Sequence, residues 1–344
     1  MPRILILYLL LSISSTCFLK AELSENGESL KIPLGLPPVP WPKDNPYTMK
    51  KAELGRLLYF DKRLSSDGTI SCATCHAINE TFASHESVSK GIYGNKGTRN
   101  SQTVINSAYH KQLFWDGRAS SLEEQVKGPL SNPNEMTAAK NSHEAFQECQ
   151  GKIKSIEGYR VLFKEVFGDE ACMVEEIAKA IATYERTILS GNSPYDRYMT
   201  GDKKAISPEA IQGLRVFNRV GCANCHSGFN FADDRFLNIG VGMDAKNPDL
   251  GRYDVTKDPS DRGAFRIPIL REISTTYPYM HDGSLKTLEE VIDYYDKGGI
   301  PNPQLSPLMV PLKMTAEEKK NMKIFLEALS GEGWQHFTEP TAFP

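Results

Sequence analysis

Cys72-Ala73-Thr74-Cys75-His76 and Cys222-Ala223-Asn224-Cys225-His226 are two copies of a C-x-x-C-H run. Thiols at this spacing add to the vinyl groups of one haem while the adjacent histidine becomes an axial ligand of its iron, so each run fastens and ligates a single cofactor. Two runs predict two covalently bound c-type haems. Two C-x-x-C pairs can also hold zinc, but zinc does not require a histidine directly after the second cysteine of both pairs.

An iron held by one histidine has a sixth position, and its occupant decides between electron transfer and chemistry. A repeat in the chain bears on it. Asp116-Gly117 followed by Leu122-Glu123-Glu124 recurs as Asp282-Gly283 followed by Leu288-Glu289-Glu290, 166 residues later in both parts, whereas His76 and His226 lie 150 apart. Gly55-Arg56-Leu57-Leu58-Tyr59 similarly matches Gly213-Leu214-Arg215-Val216-Phe217. Each half therefore reads as a helix, a haem motif, an irregular segment and a second helix closing over the far side of the haem.

Leu288, Val291, Ile292 and Tyr295 share one face of that second helix in the C-terminal half, so Tyr295 can point inward as a phenolate ligand. A core tyrosine with a bonded hydroxyl has the same periodicity. The counterpart 166 residues earlier is Pro129, which has no donor atom and leaves the first iron free for peroxide or water. The competing arrangement brings His85 or His110 to that iron. Cleaving peroxide requires proton transfer, for which Gln125, one turn before Pro129, and Glu135, six residues after it, are candidates. A loop glutamate in solvent is the ordinary alternative for Glu135.

These residues have to be carried by helices. One starts near Thr48 and turns Leu54, Leu57, Leu58 and Phe60 to a core; another follows the Ser207-Pro208-Glu209 cap, with Ile211, Leu214 and Phe217 on its apolar face. Residues 173–189 place Ile177, Ile181, Tyr184 and Ile188 on one face before Ser190-Gly191-Asn192-Ser193-Pro194 breaks the pattern. A haem-free helix over 315–329 packs on the second half. The expected fold is mostly α with little β structure: two cytochrome c-like haem domains related by internal duplication. They span residues 22–192, including a proline-rich N-terminal strap over 22–47, and residues 193–344.

The 344 residues suffice for two such cores. The net charge of −3 gives no reason to expect a nucleic-acid partner. Residues 1–21, with Arg3 ahead of an apolar stretch from Ile4 to Ile13, read as a secretory signal too short to span a bilayer; a lipoprotein reading through Cys17 is weakened by Thr16 before it. Export to the periplasm, with no membrane span, is the expectation. Cys149 and Cys172 remain after the haem cysteines, either as a disulfide or as two separate thiols.

The chain resembles the bacterial di-haem cytochrome c peroxidases and their MauG-like relatives over nearly all of its mature length. The resemblance rests on the two haem motifs, Phe114-Trp115-Asp116-Gly117-Arg118-Ala119, Leu122-Glu123-Glu124-Gln125, Gly128-Pro129, Asn132-Pro133-Asn134-Glu135-Met136 and Pro278-Tyr279-Met280-His281-Asp282-Gly283. It implies a peroxidatic first haem, a second haem that passes electrons, Trp115 as a relay between them, and Gln125 and Glu135 in the peroxide pocket. It also implies a calcium ion held by the Asn100 side chain and the carbonyls of Thr276 and Pro278, hard oxygen donors that suit this ion. Dimerisation is expected for the peroxidase relatives, although no stretch here demands it.

Within the family, electron-accepting peroxidases carry methionine at the place of Tyr295. MauG-like proteins carry tyrosine in a Y-x-x-G-G context, matched here by Tyr295-Asp296-Lys297-Gly298-Gly299, so Met280 is not the expected ligand. Many of the peroxidases also place a histidine over the first haem, where this chain reads Lys90-Gly91-Ile92-Tyr93-Gly94-Asn95. Both features favour the MauG-like branch. One departs from it: MauG has a tryptophan just before its second haem motif that takes part in oxidising a partner protein, and this chain has Val220. The expected function is an exported di-haem oxidoreductase that reduces hydrogen peroxide at the first haem. Its electrons come from a cytochrome c, from a copper protein, or from a protein substrate being oxidised. The rival is an electron-transfer cytochrome with both irons six-coordinate.

Overall fold

The computed structural model describes residues 29–344, so the signal segment and Cys17 lie outside the described residues. Eleven α-helices are found there: α1 (Met49–Phe60), α2 (Cys72–Cys75), α3 (Leu122–Leu130), α4 (Ser142–Lys154), α5 (Glu157–Phe167), α6 (Val174–Glu185), α7 (Pro194–Met199), α8 (Pro208–Arg219), α9 (Tyr253–Thr256), α10 (Leu288–Lys297) and α11 (Ala316–Glu327). The described sheet structure is one two-stranded antiparallel ladder, β1 (Phe236–Leu237) against β2 (Phe265–Arg266). The mostly α expectation holds.

Local chemistry starts the helices where the sequence suggests. The Thr48 side chain accepts from Lys51 N, and Ser207 accepts from Ala210 N with Pro208 in the first turn. A cap of this kind contributes about 1 kcal/mol. Burying a leucine contributes about 1.5–3 kcal/mol, and Leu54 and Leu58 of α1 are both fully buried, so packing outweighs capping in holding α1. Their partners are Ile177, Ile181 and Tyr184 of α6, in the core of the first half. A second core joins Phe217 of α8, Leu288 and Ile292 of α10, and Met322 and Phe325 of α11.

The two helix crossings use the same device. A Cβ on Gly55 would lie 1.9 Å from the Ala180 carbonyl oxygen, and one on Gly213 would lie 1.9 Å from that of Asn321. Only hydrogen fits at either place, so α1 can cross α6, and α8 can cross α11, at backbone contact.

Residues 29–47 contain no helix and lie along the molecule, with Leu36 and Val39 packed against Ala108 and Leu189. The C-terminal tail returns to the first half. Glu332 bridges Gly191, and Trp334 and Phe337 pack on the first core. Cys149 and Cys172 are buried, separate thiols.

Local structure also recurs at the 166-residue offset. The bridge between Leu113 and Ala119 reappears between Tyr279 and Leu285. Phe114 and Gly117 have positive φ (65° and 69°), as do Met280 and Gly283 (73° and 62°). The caps Ser121 and Thr287 then open α3 and α10 by accepting from Glu124 N and Glu290 N. Pro129 and Tyr295 are each the eighth residue of their helix.

Candidate functional site

Each C-x-x-C-H run lines its own cavity. The first, of about 430 Å³, is lined by Cys72, Cys75 and His76 together with Gln125, Pro129 and Glu135. The second, of about 230 Å³, is lined by Cys222, Cys225 and His226 together with Val220, Met280 and Tyr295. The four motif cysteines are therefore divided between two places. The two C-x-x-C pairs do not come together as one four-thiolate zinc site.

The two motif histidines are held differently. His226 Nδ1 lies 2.9 Å from the Phe231 carbonyl oxygen; with the proton on Nδ1, Nε2 is left free as a ligand. On the first side Tyr59 Oη donates to the His76 carbonyl at 2.9 Å, while His76 Nδ1 is buried without a partner. Burial lowers the pKa of both rings, which keeps the imidazoles neutral, the form that binds iron.

The two tyrosines at the end of α10 separate clearly. Tyr294 Oη donates to the Ile239 carbonyl at 2.9 Å. Tyr295 lines the cavity, and its hydroxyl makes no hydrogen bond with any described residue. Burial raises the Tyr295 phenol above its ordinary pKa. The tyrosine with a bonded hydroxyl is thus Tyr294, which is half-buried.

In the first cavity Gln125 lies one turn before Pro129 on α3, and its side-chain amide also has no partner among the described residues. Glu135 accepts from Asn132 Nδ2 at 2.6 Å. Burial raises its pKa, against the opposing pull of Arg118 and Asn132. It is a cavity carboxyl, which replaces the solvated-loop reading. His85 lies outside both cavities, with Nε2 3.0 Å from the Thr275 carbonyl oxygen and its ring stacked on Tyr277 at 4.0 Å. His110 lies in the wall common to both cavities, 3.0 Å from Arg266 Nη1.

That shared wall also contains Trp115, Asn100, Ser101, Gln102, Thr103 and Arg266. Trp115 Nε1 donates to the Asn100 carbonyl at 2.9 Å, and the Trp115 carbonyl accepts from Arg266 N at 2.8 Å. Asn100, Thr276 and Pro278 all border the second cavity. The Asn100 Nδ2 donates to the Glu86 carbonyl, which leaves Oδ1 without a donor among the described residues, and the Thr276 and Pro278 carbonyls are likewise free. Three neutral oxygens fit a calcium ion only with water or further carbonyls completing its usual six to eight ligands.

Sequence reasoning missed Arg266 and Glu185. Arg266 is 5% exposed and bonds Gln102 Oε1 at 3.0 Å, with no carboxylate in contact; burial lowers its pKa to about 10. A buried cation without an acid calls for an anion, and a haem propionate reaching this wall would supply one. The residues thus fit two haems: thiol pairs, neutral histidines, apolar walls and one uncompensated charge. Glu185, on the end of α6, lines the first cavity. Arg266 stands as a lone charge inside the apolar stretch Ala264-Phe265-Arg266-Ile267, which was its available signal, whereas Glu185 is followed directly by Arg186 and reads in sequence as half of an ordinary charge pair.

A family model described as di-haem cytochrome c peroxidase matches residues 49–204. The cytochrome-c peroxidase IdrP1 of Pseudomonas sp. (strain SCT) is 39% identical over 326 residues, covering 86% of this chain and 84% of that protein. The methylamine utilization protein MauG of Methylorubrum extorquens is 40% identical over 300 residues, covering 86% and 82%. Among solved structures, a MauG-like protein associated with microbial copper homeostasis superposes with a TM-score of 0.83 at 32% identity, covering 91% of this chain and 99% of that one.

Proposed function

The chain belongs to the di-haem cytochrome c peroxidase family and is a peroxidase-type oxidoreductase, and from that premise we propose that hydrogen peroxide is reduced in the first cavity while the second relays electrons. One observation carries this assignment: equivalent places on α3 and α10 present Pro129 to the first cavity and the unbonded Tyr295 hydroxyl to the second. A side chain able to ligate faces one haem, and a hydrocarbon ring faces the other.

Bound haem supplies the iron centres at which peroxide is reduced and electrons are held. The protein's own groups do the rest. Cys72 and Cys75 would fasten the first cofactor and Cys222 and Cys225 the second, and His76, His226 and Tyr295 would be the iron ligands. Glu135 takes a proton from peroxide and returns it to the departing oxygen, a role that needs a carboxyl with a raised pKa in a partly dry pocket. Gln125 holds peroxide with its free amide. Trp115, part of both cavity walls, is the route for electrons between them. Asn100, Thr276 and Pro278 would hold a calcium ion at the edge of the second cavity, with water or further carbonyls completing its ligands.

Residues 1–21 direct export, and the enzyme works in the periplasm. Its electrons come from a cytochrome c or copper protein, or from a protein substrate. Tyr295 supports the MauG-like branch, whereas Val220 removes the tryptophan that MauG uses toward its partner. The ferric holoprotein is expected to show one high-spin and one low-spin haem; two low-spin haems would sink the open-cavity assignment. Steady-state peroxide turnover with reduced cytochrome c or a reduced copper protein decides the donor: rapid turnover identifies a small redox protein, and negligible turnover leaves oxidation of a protein substrate.

A further inference from the structure

Glu185 is the carboxyl that the peroxidase assignment does not use. It is 5% exposed, it lines the first cavity, its Oε2 is buried without a partner, and its side chain makes no hydrogen bond with any described residue. The neighbouring cation is committed elsewhere: Arg186 pairs with both oxygens of Glu123, at 2.6 and 2.9 Å. Ser107 Oγ is a second buried polar atom without a partner in the wall of the same cavity.

We propose that Glu185 is the proton-loading residue of the first cavity, binding one proton when the haem there gains one electron and releasing it as that electron is passed to peroxide. This rests on the peroxide reading above. Reduction of peroxide consumes two electrons and two protons and yields two waters. Glu135 only moves the proton that peroxide already carries from one oxygen to the other, so both net protons must enter from elsewhere. An electron from a one-electron reductant removes a positive charge from the cavity, and a carboxylate in its wall then becomes a better base. The step balances: the reductant would lose one electron to the bound haem, and a proton from solvent joins the Glu185 carboxylate oxygen to give a neutral acid.

Glu135 lies in the same cavity and is also raised by burial, but the groups packed round Glu185 from α1, α2, α3 and its own helix are each held in one protonation state. Tyr184 of its own helix, Tyr59 of α1 and Cys72 of α2 are pushed well above their ordinary values by burial, and the Cys72 thiol disappears once haem is attached. Glu123 of α3 is held ionised in its pair with Arg186. His110, in the same cavity, is kept neutral by burial and by Arg266, which stays charged with a pKa of about 10. Burial brings Glu185 itself to about 8.

The test uses the holoprotein and a chemical reductant without peroxide. The midpoint potential of the high-spin haem is titrated from about pH 5 to about pH 9 in wild type and Glu185→Gln. The two potentials are expected to coincide at the acid end and to separate as pH rises, with wild type falling below the variant because only it gains a negative charge. Redox-difference infrared spectra should show a carboxylic acid C=O band appearing on reduction of wild type and missing in the variant. Potentials that run parallel at every pH, with the band unchanged, overturn the proposal. If Glu185→Gln does not mature, Glu185→Asp, which keeps the carboxyl, should retain the band at a shifted frequency, and the lack of any such band in wild type overturns the proposal alone. A ferric protein without a high-spin haem would instead overturn the peroxide reading.

Discussion

Tyr294 and Tyr295 are neighbours, yet one hydroxyl is satisfied by a carbonyl and the other faces a cavity with none. Replacing Tyr295 by phenylalanine is therefore expected to remove a ligand rather than a packing element. The low-spin ferric signal of the second haem should convert to high spin, read by electron paramagnetic resonance, while the melting temperature changes little; an unchanged low-spin signal excludes Tyr295 as the ligand. Glu135→Gln should lower peroxide turnover by about 10²–10⁴-fold, the usual contribution of a positioned proton-transfer group. The pH profile follows from the direction of its shift. Glu135 must be ionised to accept the peroxide proton, and burial raises its pKa, so kcat/KM should fall on acidification, starting at a higher pH than an exposed glutamate would give. A flat profile through the weakly acidic range excludes Glu135 as the base. Of these residues, the haem cysteines and histidines were legible directly, because five contiguous residues define their chemistry. Glu135 was not, since only the folded chain tells a cavity carboxyl from a solvated one.

At the scale of elements, two helix crossings position both haem motifs, and each depends on one glycine. Helix propensity favours alanine over glycine by about 1 kcal/mol in a helix interior. At Gly213 that gain is overridden, because the added carbon would lie 1.9 Å from a backbone oxygen that cannot move without shifting α11. Overpacking typically costs about 1–3 kcal/mol, so Gly213→Ala should lower stability despite its better propensity. A melting temperature at or above that of wild type would show that the crossing has slack. The helices themselves were visible as apolar periodicities behind Thr48 and Ser207. The closeness of the crossings was visible only as a matched pair of glycines, whose meaning needed the partner helix.

For the whole molecule, the decisive feature is the wall shared by the two cavities, built from the segment 100–103 together with His110, Trp115 and Arg266. Trp115→Phe keeps an aromatic ring but loses the indole N–H bonded to Asn100. It should leave both ferric spectra in place and slow the spectral change at the second haem after peroxide is added, measured by stopped flow; an undiminished rate would route electrons elsewhere. The tail adds a second long-range tie, since Trp334 and Phe337 return to the first core after the chain has completed the second. The sequence by itself determined the cofactor type and number, the helical class, the repeat and the contrast between Pro129 and Tyr295, because each is written in local spacing or in a fixed offset. Only the tertiary structure decided that Tyr295 rather than Tyr294 is unbonded, that His85 lies outside the cavities, and that Arg266 and Glu185 are buried charges beside the haem sites. Those properties depend on which distant groups supply or withhold a hydrogen bond or a counter-charge, and residues 55 to 190 positions away along the chain take part in them.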